Sequence, residues 1–371
     1  MSRFLWEITN SPYKSQCLGE TRDFGQKPDV TLIDLYSGKQ PSVIDNEFLS
    51  SGKRKFQIGA SALLDSNLAD DLVKLANRGN VSEGFLEFFR FLTENKWDFS
   101  LQFYYQEHFA KSGASDAFFE NATRRTEALL KLQSMDEEQW LRTGEIVENP
   151  EAIAHYLVLE SATSIGEAAR NRVERFAETF PIKSLENMIR AIEVALAKMV
   201  LLRRFDRKNI SSMDQWAEYK DFLKDELGMF MGREALLALH YFNDLAGRLL
   251  GTQPNTPWDT ARANIKSTAW DLYFLRFADQ MFDWDGQLLM LPYPATNERA
   301  LANFAKLTKI ERLIPAAAGG LTPVVSYDLS LLGPKSPPRG IDIGTGRVDR
   351  GTVDDALYDA TVGRLNRLLP S

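Results

Sequence analysis

Four acidic side chains in this chain stand where an acid has to be accounted for. Asp65 closes the apolar run "GASALL", at the carboxyl end of an expected strand, the edge where open α/β sheets bind ligands. Glu107 lies among aromatics in "LQFYYQEHF", where burying a carboxylate is costly unless it is paired or bound to a cation. Asp271, in "TAWDLYFLRF", has apolar residues on both sides, and Glu298, in "ATNERAL", follows an apolar strand and opens a helix. Each has a plain alternative. Asp65 could cap the next helix, and Glu107 could share a partly exposed face with Gln106. Asp271 could pair with Lys266 or Arg276, and Glu298 could sit at the positive end of a helix capped by Thr296 or Asn297.

Composition narrows the chemistry. The chain has 371 residues and a formal net charge of −7, enough for one large or two modest domains with a sizeable interior. Cys17 is the single cysteine and His108, His155 and His240 are the three histidines, so neither a disulfide framework nor a cysteine-rich zinc site is expected. A metal would be held by carboxylates, which suits magnesium or manganese. Net acidity argues against coating nucleic acid non-specifically, although a local basic rim could still steer a phosphate backbone. The segment Met1 to Ser11 lacks the marks of a signal peptide. The stretch Ala191 to Leu202 is broken by Glu193 and Lys198, short of the roughly 18 apolar residues of a span. The expectation is a cytoplasmic chain with no membrane partner.

Strands are expected at "VTLIDLYSG" and "SVIDNEF", separated by a turn, and in "KFQIGASALLDSN", which runs into a loop and the helix "LADDLVKLANRG". From about Ser82 to Leu250, apolar residues recur at three- and four-residue intervals in helix after helix, including one read across "NPEAIAHYLVLESATSIGEAARNRVERFAETF". Ser115-Asp116, Asn149-Pro150 and Ser212-Met213-Asp214 resemble helix starts. After the turn "TQPNTPWD", the helix "TARANIKSTAWDLYFLRFADQMF" precedes strand, loop and helix in "LLMLPYPATNERALANFAKL". A Gly- and Pro-rich tail ends in a short helix. The organisation expected is an N-terminal strand-bearing segment (1–54), a sheet domain in two parts (55–112 and 252–315), a helical insertion between them (113–251) and a C-terminal extension (316–371).

"ALLDSNLADDLVKL" resembles the opening of PIN-like nucleases, in which a strand ends in Asp, a small or polar residue and Asn before a helix. "AWDLYFLRFADQMF" resembles that family's later helix with an inward acid, and "PATNERALANFAKL" its last strand and turn. The resemblance covers roughly 56–110 and 260–307. It implies an α/β fold with a PIN-like parallel sheet flanked by helices, here with a large all-α insertion. It further implies that Asp65, Glu107, Asp271 and Glu298 bind Mg2+ or Mn2+ and catalyse phosphodiester hydrolysis, with Asn67 and Thr296 in support. Arg262, Lys266 and Arg299 would meet the nucleic-acid backbone, RNA rather than DNA. A toxin or defence role, with a restraining protein partner or self-association, is implied on the same ground. The chain departs from the family in carrying Glu298 where Asp is usual. It also has a helical block between the second and third acids, which makes Glu160, with Glu167 behind it, a rival to Glu107.

Other signals are weaker. "GIDIGTG" lacks the Lys-Ser/Thr of a phosphate loop and reads as a turn. The basic cluster "LLRRFDRK" ends a helix, where cations favour the dipole. Neither a serine elbow nor a histidine–glutamate zinc motif is present. The second class of function is a non-catalytic helical interaction protein whose acids are surface and capping groups.

Overall fold

A computed structural model describes residues 5–8, 18–27, 29–39, 41–246, 249–315, 321–337, 340–341 and 352–370. Cys17 and most of "GIDIGTG" lie outside the described residues. The chain divides into two units, the first Met1–Ile182, Phe277–Ala302 and Ile310–Val325, the second Lys183–Arg276, Asn303–Lys309 and Ser326–Ser371. The division falls inside the expected helical insertion.

The first unit opens with β1 (Leu5–Ile8), β2 (Arg22–Phe24), β3 (Val30–Leu32), β4 (Ser42–Val43), α1 (Asn46–Ser51) and β5 (Lys53–Leu64). It continues with α2 (Ala69–Ala76), α3 (Glu83–Glu94), β6 (Asp98–Ser100), α4 (Gln102–Ser112), α5 (Asp116–Gln133), α6 (Glu137–Thr143), α7 (Pro150–Leu159) and α8 (Ile165–Thr179). The second unit carries α9 (Ile182–Leu201), α10 (Ser212–Asp221), α11 (Gly232–Phe242) and α12 (Trp258–Ala278). The chain then adds β7 (Asp283–Trp284), β8 (Leu288–Thr296), α13 (Arg299–Ala305), β9 (Thr308–Pro315) and β10 (Leu321–Tyr327), with helical turns over 355–368. Among the described residues, no helix is long and apolar enough to cross a membrane.

β5 is the backbone of the main sheet. Its first half alternates exposed and buried residues, whereas Gly59 to Leu64 are buried apart from half-buried Ser61, as suits a strand covered on both faces. The strand order is β1-β5-β8-β3-β2, with β6 also on β5 and β7 on β8. β1, β6 and β8 run parallel to β5, while β3 is antiparallel to β8 and β2 to β3. The fold is therefore α/β, but its sheet is mixed rather than parallel throughout. β2 and β3 are joined by a turn of a few residues, and so short a connection returns the chain antiparallel. β10, β9 and β4 form a second sheet.

Two expectations are corrected locally. "SVIDNEF" gives only the two residues of β4, because Asp45 accepts the Phe48 N–H at 2.9 Å and starts α1. The single long helix expected over 150–179 is two. Ser164 caps α8 by accepting from Glu167 N, and the Glu167 carboxylate accepts from Thr163 N at 2.7 Å, so the chain restarts there. The starts expected at Ser115 and Asn149 are seen, while α10 is capped by Ser211, one residue before the expected Ser212. Replacing Ser115 by Ala removes the acceptor for Phe118 N and is expected to cost about 1 kcal/mol, read as a lower urea midpoint at unchanged slope.

α3 buries Phe85, Phe88, Phe89 and Leu92, and Phe88 meets Phe24 edge-on at 5.5 Å between centroids. Gly84 permits this approach: a Cβ there would lie 2.6 Å from the Phe24 carbonyl oxygen.

Candidate active site

The register of the sheet aligns the site. Leu64 pairs with Ala295 and the Asp65 N–H donates to the Ala295 carbonyl at 2.9 Å, so Asp65 and Thr296 leave their parallel strands side by side. Asp65 occupies the start of the one-turn helix Ser66–Leu68, yet its side chain makes no capping hydrogen bond. Its Oδ2 instead accepts from the Thr296 hydroxyl at 2.7 Å, both groups being buried. The capping alternative for Asp65 does not hold in this geometry.

Glu107 comes from α4, the helix that follows β6. It is buried, with 9% of its surface exposed, rather than on a half-exposed polar face. Ser66 Oγ donates to Glu107 Oε2, and Lys111 Nζ donates to Oε1 at 2.6 Å. Glu298 is exposed; its N–H donates to Thr296 Oγ1 at 3.0 Å, and its carbonyl accepts from Ala302 N as α13 begins. Asn67 and Arg299 are exposed beside these groups in sequence.

Electrostatics ties three of the acids together. Burial raises the Asp65 carboxyl from its ordinary 3.8 to about 6, offset in part by the Thr296 hydrogen bond and reinforced by the negative charges of Glu107 and Glu298. His108, on the next position of α4, is pushed below its ordinary value by burial and stacks on Tyr104 at 4.1 Å between centroids. Arg125 of α5 extends over Tyr104, with its guanidinium carbon 4.8 Å from the ring centroid, and binds Asp70 at 2.5 Å.

Asp271 lies on α12 in the second unit and is half-buried. Arg262 and Lys266 lie on the same helix, exposed, where their charges draw on Glu193. The rival acid Glu160 is accounted for structurally. It is buried at the end of α7 and binds Arg172 at 2.8 Å and Arg175 at 2.5 Å, and Glu167 serves the cap of α8. In the basic cluster, Arg207 pairs with Glu218, Arg203 with Asp244, and Asp206 with Arg364.

Sequence reasoning passed over several groups. Lys111 stands four residues after Glu107, a spacing that pairs charges on a helix and was readable. Ser66, Asp70 and Arg125 converge only through packing. A further pair lies across the sheet: Thr31 is in register with Thr296 and Asp23 with Thr31, and Thr31 Oγ1 donates to Asp23 at 2.6 Å. In-register neighbours share a face, so Asp65, Thr296, Thr31 and Asp23 form one polar row over four strands.

The oxygen donors of Asp65, Glu107 and Glu298 suit a hard divalent cation in type. Among the described residues, no group of three or more His, Cys, Asp or Glu side chains stands close enough together to hold a metal ion. As arranged, the Lys111 ammonium occupies one oxygen of Glu107.

No family model matches this chain. Nor does any curated protein or solved structure.

Proposed function

We propose that the carboxyl edge of β5 and β8 is a PIN-like hydrolytic site that cleaves phosphodiester bonds, with RNA the preferred substrate over DNA. The observation that carries this reading is Asp65: a buried acid at the end of a parallel strand, raised to about 6 and fixed by Thr296. A carboxylate poised near neutrality is suited to taking a proton from an attacking water. Thr296 donates to Asp65 Oδ2, and the Ser66 N–H also bonds this carboxyl, so its position is fixed from two sides. Glu107 and Glu298 would join Asp65 in holding Mg2+ or Mn2+, which when bound would supply charge relief and an acidified water. Arg299 would contact the backbone and Asn67 would order solvent, whereas Asp271, Arg262 and Lys266 belong to the second unit and are not part of the site proposed here.

The test is cleavage of labelled single-stranded RNA with added manganese, comparing the native chain with Asp65→Asn, alongside calorimetric titration of the metal. Cleavage that requires metal and disappears in the variant supports the reading; the absence of both metal binding and cleavage overturns it. Lys111→Ala frees Glu107 of its ammonium partner, so manganese affinity is expected to rise several-fold in the same titration.

One observation favours the other class, a protein-binding helical surface. Val158 and Leu159 near the end of α7 are 82% and 57% exposed, an apolar pair that a partner could cover. If metal and RNA both fail, crosslinking at these two positions is the next measurement.

A further inference from the structure

α7 is an apolar helix that the first unit leaves uncovered along one side. From Ala152 to Leu159 it reads "AIAHYLVL", without an Asp, Glu, Lys or Arg, yet none of its residues is buried. At 3.6 residues per turn they divide into two faces. Ala152, Ile153, Tyr156 and Leu157 are half-buried, and Tyr156 and Leu157 pack on the small core of Leu130, Ala168 and Ala169. Glu151, Ala154, His155, Val158 and Leu159 are exposed and fill the opposite arc of about 140°. Val158 is the most exposed large apolar side chain among the described residues.

The two ends of this strip carry opposite charge. Glu145, Glu148 and Glu151 are exposed at or just before its first turn, and none is in an ion pair among the described residues. At the other end Glu160, buried at the C-cap of α7, is shared by Arg172 at 2.8 Å and Arg175 at 2.5 Å, which leaves one positive charge over. Arg175, with 56% of its side chain exposed, brings that charge to the surface. Glu167, also at this end, is held by Thr163 and drawn on by Arg170. A strip with acid at one end, apolar residues between and base at the other complements itself when turned end for end, as a twofold interface requires. Parallel pairing would set acid against acid.

We propose that α7 is the contact helix of a dimer of this chain, two copies packing antiparallel about an axis near Ala154 and His155. The pairing covers Val158 and Leu159 and sets Glu151 of each copy toward Arg175 of the other. Ala154 at the centre has only a methyl group, which lets the helices approach closely. A ten-residue helix is about 15 Å long and offers less than the roughly 800 Å2 per partner of a standard interface, so the dimer is weak, with a Kd of about 10–100 μM. The interface is independent of the hydrolytic reading, since no residue of the strip belongs to the Asp65 group.

Sedimentation equilibrium of the full chain, from well below to well above that concentration, is the test. The mass is expected to rise from that of one chain toward that of two. Val158→Glu, at an exposed position, should weaken association by roughly tenfold or more with an unchanged melting curve, because each dimer would cover two carboxylates. Glu151→Arg should also weaken it, and adding Arg175→Glu should restore it, a rescue that end-for-end pairing of identical copies gives. If Arg175→Glu does not fold, oxidation of Ala154→Cys in a Cys17→Ser background decides. It should give a disulfide-linked dimer, whereas Ser267→Cys, exposed in the second unit, should not. A chain that keeps the mass of one copy throughout overturns the proposal and leaves the strip to a different protein. A dimer that Val158→Glu leaves intact overturns it too, as does a cross-link at Ser267→Cys equal to that at Ala154→Cys.

Discussion

Asp65→Asn is expected to make the first unit more stable at pH 7 while abolishing cleavage. The Asp65 carboxyl sits at about 6 in the fold against an ordinary 3.8, with burial the main cause. The folded chain thus holds this proton more tightly than the unfolded chain does. Its stabilising contribution is complete below about pH 3.8 and is lost as pH rises through about 6. At pH 7 the native chain carries a buried charge that Asn lacks, a relief on the order of 3 kcal/mol. Asn keeps a carbonyl oxygen to accept from Thr296, so the hydrogen bond need not be lost. Urea melts from pH 4 to pH 8 check this. The two proteins should agree near pH 4 and diverge above it; parallel curves would show that Asp65 titrates as an ordinary carboxylate. If Asp65 is the proton acceptor, the same variant loses roughly 10²–10⁴-fold in cleavage rate. Gain of stability with loss of activity separates a functional acid from a structural one, whose removal weakens the fold.

The second large effect lies in the other unit. Glu234 on α11 is fully buried, and Arg276 Nη2 donates to its two oxygens at 2.9 and 2.8 Å. The Tyr219 hydroxyl, which has no hydrogen-bond partner among the described residues, is pushed well above the ordinary phenol range by burial and then by the Glu234 charge. Arg276→Met leaves that carboxylate without its counter-ion and is expected to destabilise the second unit by about 3–5 kcal/mol. Adding Glu234→Gln should recover part of the loss, because the double variant buries no charge. A single-variant loss below about 1 kcal/mol would place the pair in effectively aqueous surroundings.

What could be read in advance follows from how local each signal is. Asp65 was legible because an apolar run ended on it, and Glu107 because an acid among aromatics has to be paired. The antiparallel course of β3 was not, since three buried residues, Val30 to Leu32, look alike in either direction. β9 was missed for a related reason: "TKIERLIP" mixes charge with apolar residues and has no long buried run. The break before α8 was written as Ser164…Glu167, a capping box, but lay inside a continuous helical periodicity. Asp271 shows the limit most clearly. Its neighbours fix its burial on a helix, and nothing in chain order reveals that α12 belongs to the second unit.

The pairing of β5 with β8 also sets a timetable. Asp65 and Thr296 are 231 residues apart in the chain. A ribosome adding about 5–20 residues per second needs roughly ten to fifty seconds to cover that distance. Throughout that interval the twelve-residue β5 lacks the neighbour that covers its longest edge. An apolar strand with an open edge is a template for association with other chains. The nascent protein thus has a window of vulnerability that closes only after β8, ending at Thr296 of 371 residues, has been made, and slowing translation after α8 should lengthen it.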